Sequence, residues 1–89
     1  MSTKSIHKAE YQDLLDLLRE IRRKAGLTQA ELAALLGRSQ SAISDIEGGG
    51  RRLDTLQLRE YCLACGQDPS GFIKRFESLI ADGQDSASP

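Results

Sequence analysis

Tryptophan is missing from this 89-residue sequence, phenylalanine and tyrosine occur twice each, proline twice, and histidine and methionine once. With so few rings, the core has to be aliphatic. The single histidine, His7, and the two cysteines, Cys62 and Cys65, fall short of the four ligands of a zinc site, and no positioned partner for acid–base catalysis by the histidine is visible. No Ser/His/Asp set, carboxylate pair or glycine-rich phosphate loop is visible, so no enzyme is expected. No apolar run approaches the roughly 18 residues of a membrane span, and the opening MSTKSIHK lacks the apolar stretch of a secretory signal. No membrane association and a cytoplasmic location are therefore expected, with no metal and no cofactor.

An excess of either charge is absent as well. Twelve basic residues face thirteen acidic ones, for a net charge of -1. The distribution is less even than the total. Between residues 19 and 59, Arg19, Arg22, Arg23, Lys24, Arg38, Arg51, Arg52 and Arg59 face Glu20, Glu31, Asp45, Glu47 and Asp54, eight against five. A basic centre between acidic flanks can serve as a local footprint for a polyanion.

Length and composition fit one domain with one modest core. No stretch alternates with the two-residue period of a strand. Leu14, Leu17, Leu18, Ile21 and Ala25 recur at steps of three and four, which predicts a helix from about Tyr11 to Ala25, ended by Gly26. Thr28 and Glu31 form a capping box, so a second helix is expected over Gln29–Leu36 with Gly37 as its stop. Ser39 can cap a third through Glu47, closed by Gly48, Gly49 and Gly50. Asp54 can cap a fourth to about Cys65. Asp68–Pro69 can start a fifth, lined by Phe72, Ile73, Phe76, Leu79 and Ile80. The expected organisation is a flexible N-terminus over residues 1–10, an all-α five-helix domain over 11–81, and a disordered tail over 82–89.

The second and third helices raise a question of purpose. Leu32, Ala33, Leu36, Ile43 and Ile46 face one way, while Gln40, Ser41, Ser44 and Asp45 face the other. Two short helices joined at a glycine make a helix-turn-helix, in which the first braces the second and the second presents polar side chains outward. A plain helical bundle with SQSAIS as a solvated face is the simpler alternative.

LREIRRKAGLTQAELAALLGRSQSAISDIEGG and RRLDTLQLREYCLACGQDPSGF resemble the Cro/phage-repressor type helix-turn-helix transcriptional regulators, the XRE family, over about residues 14 to 80. AGLTQAELA, the glycine turn, SQSAIS and IEGG stand in order at that family's spacing. The resemblance implies a lambda-repressor-like all-α fold and double-stranded DNA as partner. It places Gln40, Ser41, Ser44 and Asp45 at base-reading positions, with glutamine suited to adenine and serine permissive. Thr28, Gln29, Arg38, Ser39, Gly48, Arg51 and Arg52 fall at phosphate-contacting positions. Arg22 and Glu47 match a structural ion pair.

Two residues depart from the family's pattern. Arg38 stands where an aliphatic residue is common, with its stem able to pack while its head reaches a phosphate. Asp45 stands where a neutral or basic residue is common. Its carboxylate would repel phosphates unless it accepts from cytosine N4 or pairs with a nearby arginine.

The family often dimerises through the region of the fifth helix. A homodimer through Phe72, Phe76, Leu79 and Ile80 is therefore expected, acting as a repressor on an inverted repeat. The alternative is an antitoxin-like module that binds a protein partner and touches DNA weakly. Cys62 and Cys65 form a CxxC, but both fall on the apolar stripe of the fourth helix, where cysteine acts as a small hydrophobe.

Overall fold

In a computed structural model, the backbone is described over residues 3–87 and the side chains over residues 9–82. Five helices follow one another: α1 (Thr3–Lys24), α2 (Gln29–Leu36), α3 (Gln40–Glu47), α4 (Thr55–Ala64) and α5 (Pro69–Ala87). The protein is all-α, and none of the described residues lies in a strand. No described helix is long and apolar enough to cross a membrane.

The three middle helices begin as their sequences predict. Thr28 Oγ1 accepts from Glu31 N–H at 3.0 Å while Thr28 N–H donates to the Glu31 carboxylate at 2.9 Å, and Asp54 and Gln57 make the same reciprocal pair. Ser39 Oγ accepts from Ala42 N–H. Each cap is worth about 1 kcal/mol, a large contribution for helices of eight to ten residues.

Gly37 closes α2 at φ +66, a left-handed conformation that costs any other residue its Cβ clearance. Gly37 N–H then donates to Ala34 O and Arg38 N–H to Ala33 O, which satisfies two carbonyls and turns the chain into α3. The same pair of bonds closes α1 at Gly26 and Leu27, and α4 at Gly66 and Gln67.

α2 packs on α3, α1 packs on both α3 and α5, and α4 touches α2 and α5. Leu15, Leu17, Leu18, Ile21, Leu32, Ala33, Ile43, Ile46, Tyr61, Cys62, Cys65 and Phe72 form one buried cluster. The cluster corrects the predicted α1 stripe in two places. Leu15 is buried and Leu14 only half-buried, because α1 is covered from two sides and its apolar face is wider than one stripe. Ala25 is exposed, one residue beyond the helix.

α1 also starts earlier than Tyr11 and α5 runs past Ala81. Those extensions carry too few apolar residues to announce a helix by periodicity. The expected looseness of residues 1–10 and 82–89, and His7 with it, falls largely outside the described side chains.

Candidate nucleic-acid interface

α3 is divided lengthwise. Ala42, Ile43, Ile46 and Glu47 are buried, and Gln40, Ser41, Ser44 and Asp45 are exposed. The exposed four line one shallow, open depression. The 3.6-residue period explains the division, since positions 42, 43, 46 and 47 share one face and leave the others to solvent.

What fixes the angle of that face is a buried polar hub at the C-terminal end of α3. Arg22 reaches Glu47 with two prongs, Nε to Oε2 at 2.7 Å and Nη2 to Oε1 at 3.0 Å. Gln29 Nε2 donates to Oε1 at 3.1 Å, and the Tyr61 hydroxyl donates to Oε2. Arg22 Nη1 also donates to Leu27 O, and Arg19 Nη1 to the backbone carbonyl of Glu47 at 2.6 Å. A single carboxylate thus ties α3 to α1, α2 and α4. Arg19 adds a cation at the negative end of the α3 dipole.

Burial pulls the Glu47 carboxyl upward, but Arg22, Tyr61 and Gln29 together outweigh it and hold Glu47 below the usual carboxylate range. Burial first, and then the bond to Glu47, pushes the Tyr61 phenol well above its ordinary value. No buried side-chain nitrogen or oxygen among the described residues lacks a partner.

Arg22 and Glu47 are thus paired, as the resemblance implied. Tyr61, Arg19 and Gln29 were not foreseen as members of the hub; Gln29 was expected only at a phosphate. A tyrosine on the buried stripe of α4 was the available signal, because a buried phenol hydroxyl needs an acceptor.

The residues at the rim have distinct situations. Thr28 and Ser39 are exposed caps whose hydroxyl oxygens accept internally, leaving each hydroxyl hydrogen to donate outward. Gln29 is half-buried, with one amide hydrogen on Glu47 and the second uncommitted. Helix geometry also leaves the first N–H groups of α2 and α3 without acceptors in their own helices. Arg38 is half-buried and Arg51 exposed, and neither guanidinium has a partner among the described residues.

Arg52 instead lies over the Tyr11 ring, 4.8 Å from its centroid, so its head is partly committed to α1. Gly48 has no side chain to offer, and its N–H already donates to Ser44 O at 2.9 Å. That commitment leaves it no donor for a phosphate. A Cβ at Gly48 would stand 3.1 Å from that same carbonyl, a tight approach at the end of α3. At Gly49 the backbone is left-handed, at φ +86, and a Cβ would come to 3.3 Å from Leu15.

Of the four residues expected at a dimer contact, Phe72 is buried in the subunit's own core at 3% exposure and is unavailable to a partner. Phe76 and Ile80 are half-buried and Leu79 is exposed. A second apolar surface lies on α2 and α4, where Leu35, Leu36, Leu63 and Ala64 line an open depression with Glu60. Leu35 and Leu56 are each exposed by more than 60%.

Cys62 and Cys65 are buried in the core, and burial pushes both thiols up to about 11. No group of three His, Cys, Asp or Glu able to hold a metal occurs among the described residues.

The helix-turn-helix domain family matches residues 13–71. Among solved structures, an XRE-family like protein from Pseudomonas syringae pv. tomato str. DC3000 is 49% identical, with a TM-score of 0.82 over 88% of this chain and 95% of that one. The clp gene regulator ClgR from Corynebacterium glutamicum shares the fold at 23% identity, with a TM-score of 0.72 over 86% of this chain and 82% of that one. No curated protein matches.

Proposed function

This chain belongs to the XRE-type family of helix-turn-helix DNA-binding regulators, and from that premise we propose that it is a sequence-specific repressor that binds an inverted-repeat operator as a homodimer. The carrying observation is the split of α3 into a buried face and an exposed row of Gln40, Ser41, Ser44 and Asp45. In this reading α3 enters the major groove and that row meets base edges. The two recognition helices of a dimer then lie about 34 Å apart, one turn of DNA.

Gln40, in the first turn of α3, is the main reader, because its amide can bond adenine N6 and N7 together. Thr28, Gln29 and Ser39 sit at or beside the first turns of α2 and α3, where free N–H groups and the helix dipoles favour an anion, and they grip the phosphates. Arg51 and Arg38 add charge at the rim. Arg52 can join them only by leaving Tyr11 or by using the edge of its guanidinium. α5 supplies the dimer contact through Phe76, Leu79 and Ile80. A dimer bound to an operator that overlaps a promoter represses by excluding polymerase.

The test is a footprint on the region upstream of the chain's own gene, at two salt concentrations. A protected inverted repeat is expected, with affinity falling steeply with salt as counterions are released. Absence of both would remove the reading.

A second reading, an antitoxin-like module whose main partner is a protein, draws on the apolar depression between α2 and α4 and on exposed Leu35, Leu56 and Leu63. Under it a protein co-purifies with the chain, and Leu63→Glu releases that protein while any DNA binding is unchanged.

A further inference from the structure

Asp45 is the only charged side chain among the four that line the depression on α3. The sequence left two ways to neutralise it, an arginine or a base. In the folded chain its carboxylate has no ion pair and no side-chain hydrogen bond among the described residues, and it is exposed.

The arginines that could have reached it are otherwise placed. Arg52 lies over Tyr11. Arg51 donates its backbone N–H to the Asp45 carbonyl at 3.2 Å, beside Gly50 N–H at 2.8 Å, yet its guanidinium does not turn back to the carboxylate. Those two backbone bonds tie the turn that follows α3 back to the backbone carbonyl of residue 45. The result is an unneutralised anion, carried on a fixed stretch of backbone, on the face that, in the reading above, is pressed against DNA.

A carboxylate that loses water against a duplex needs a donor, and phosphates offer none. In the major groove, guanine shows two acceptors, thymine an acceptor and a methyl group, and adenine a donor next to its N7 acceptor. Only cytosine presents a donor, the N4 amine, with no acceptor on its own edge. We infer that Asp45 makes cytosine obligatory at one position of each half-site and, by repelling phosphates, holds down binding to unrelated DNA.

This inference rests on the DNA-binding reading, and the experiment separates the two. Duplexes are selected from a random pool with the full chain and with Asp45→Ala. Binding is then measured to a selected duplex, to the same duplex with that C·G pair changed to T·A, and to an unrelated duplex. The Asp45 side chain is exposed and makes no hydrogen bond or ion pair among the described residues, so the variant should keep its structure, checked by an unchanged melting curve.

One cytosine per half-site is expected to be fixed in the parent pool and free in the variant pool. The C·G to T·A change should cost the parent about 10- to 100-fold and the variant less than about threefold, the range of a good base contact. The variant should also bind unrelated duplex several-fold more tightly. A variant pool with the same fixed cytosine, or a parent pool enriched for an operator without one, overturns the inference and leaves DNA reading intact. A parent pool with no enriched sequence overturns both.

Discussion

Arg22 on α1 grips Glu47, the last residue of α3, through two parallel hydrogen bonds of 2.7 and 3.0 Å, with both side chains almost closed to solvent. A charge pair in that setting contributes little over a well-packed apolar pair, because each ion has been stripped of water. Breaking it from one side is another matter. Arg22→Ala is expected to lower stability by about 3 to 5 kcal/mol in urea unfolding, since it leaves a buried carboxylate without its cation. Arg22→Met with Glu47→Leu and Tyr61→Phe, which removes the hub without stranding the Tyr61 hydroxyl, should recover most of that loss.

The same carboxylate sets the acid limit of the fold. Glu47 titrates below its ordinary value of 4.5 when folded, so the unfolded chain binds its proton at higher pH than the folded chain does. Its contribution is therefore complete above about pH 4.5 and is lost as pH falls through the lower folded value. Unfolding followed from pH 7 down to pH 3 should show the loss, and Glu47→Gln should flatten that part of the profile.

Cys62 and Cys65 set a limit at the other end. Both thiols are pushed from 9.0 to about 11, so their neutral forms favour the fold, and that contribution is full below pH 9 and lost as pH rises through about 11. At pH 8 a thiol reagent should label them only as fast as the protein unfolds. Rapid labelling of the folded chain would contradict their place in the core.

Base reading and phosphate binding should separate by mutation. In the proposed complex Gln40→Ala removes a bidentate base contact, and it should relax preference at one operator position, at a cost of about 1 to 3 kcal/mol. Arg51→Ala removes one cation at the rim and should weaken all duplexes alike, reducing the salt slope by about one. Filter binding on a selected and an unrelated duplex distinguishes these outcomes.

The features legible in the sequence were the local ones. Thr28 with Glu31, and Asp54 with its helix, announce themselves within four residues, and Gly37 marks its own turn. The exposed row on α3 followed from a single helical period. What remained hidden depends on which elements meet. Tyr61 reaches Glu47 only because α4 packs beneath the helix-turn-helix, and nothing in the YCLAC segment names that acceptor. Phe72 and Phe76 look alike on the α5 stripe, yet one is buried and the other half-exposed, because the difference is made by the helices packed against α5. Leu15 replaced Leu14 in the core for the same reason. The Arg22–Glu47 pair, 25 residues apart, came from resemblance to a family, not from spacing.

The proposed dimer has two apolar surfaces through which a second copy of the chain can dock, and a pair of substitutions decides between them. Leu79 on α5 is 42% exposed and Leu63 on α4 is 49% exposed, so a charge at either should leave the monomer folded. If α5 makes the dimer, Leu79→Glu should sediment as a monomer and Leu63→Glu as a dimer. The DNA consequence follows from linkage: a dimer binds its second half-site as an intramolecular step, which is worth about 100- to 10,000-fold in overall affinity. Leu79→Glu should therefore lose that factor on the full inverted repeat while binding an isolated half-site as the parent does. If Leu63→Glu gives the monomer instead, the α2–α4 face is the one that meets the second copy, and α5 is a lid over the core.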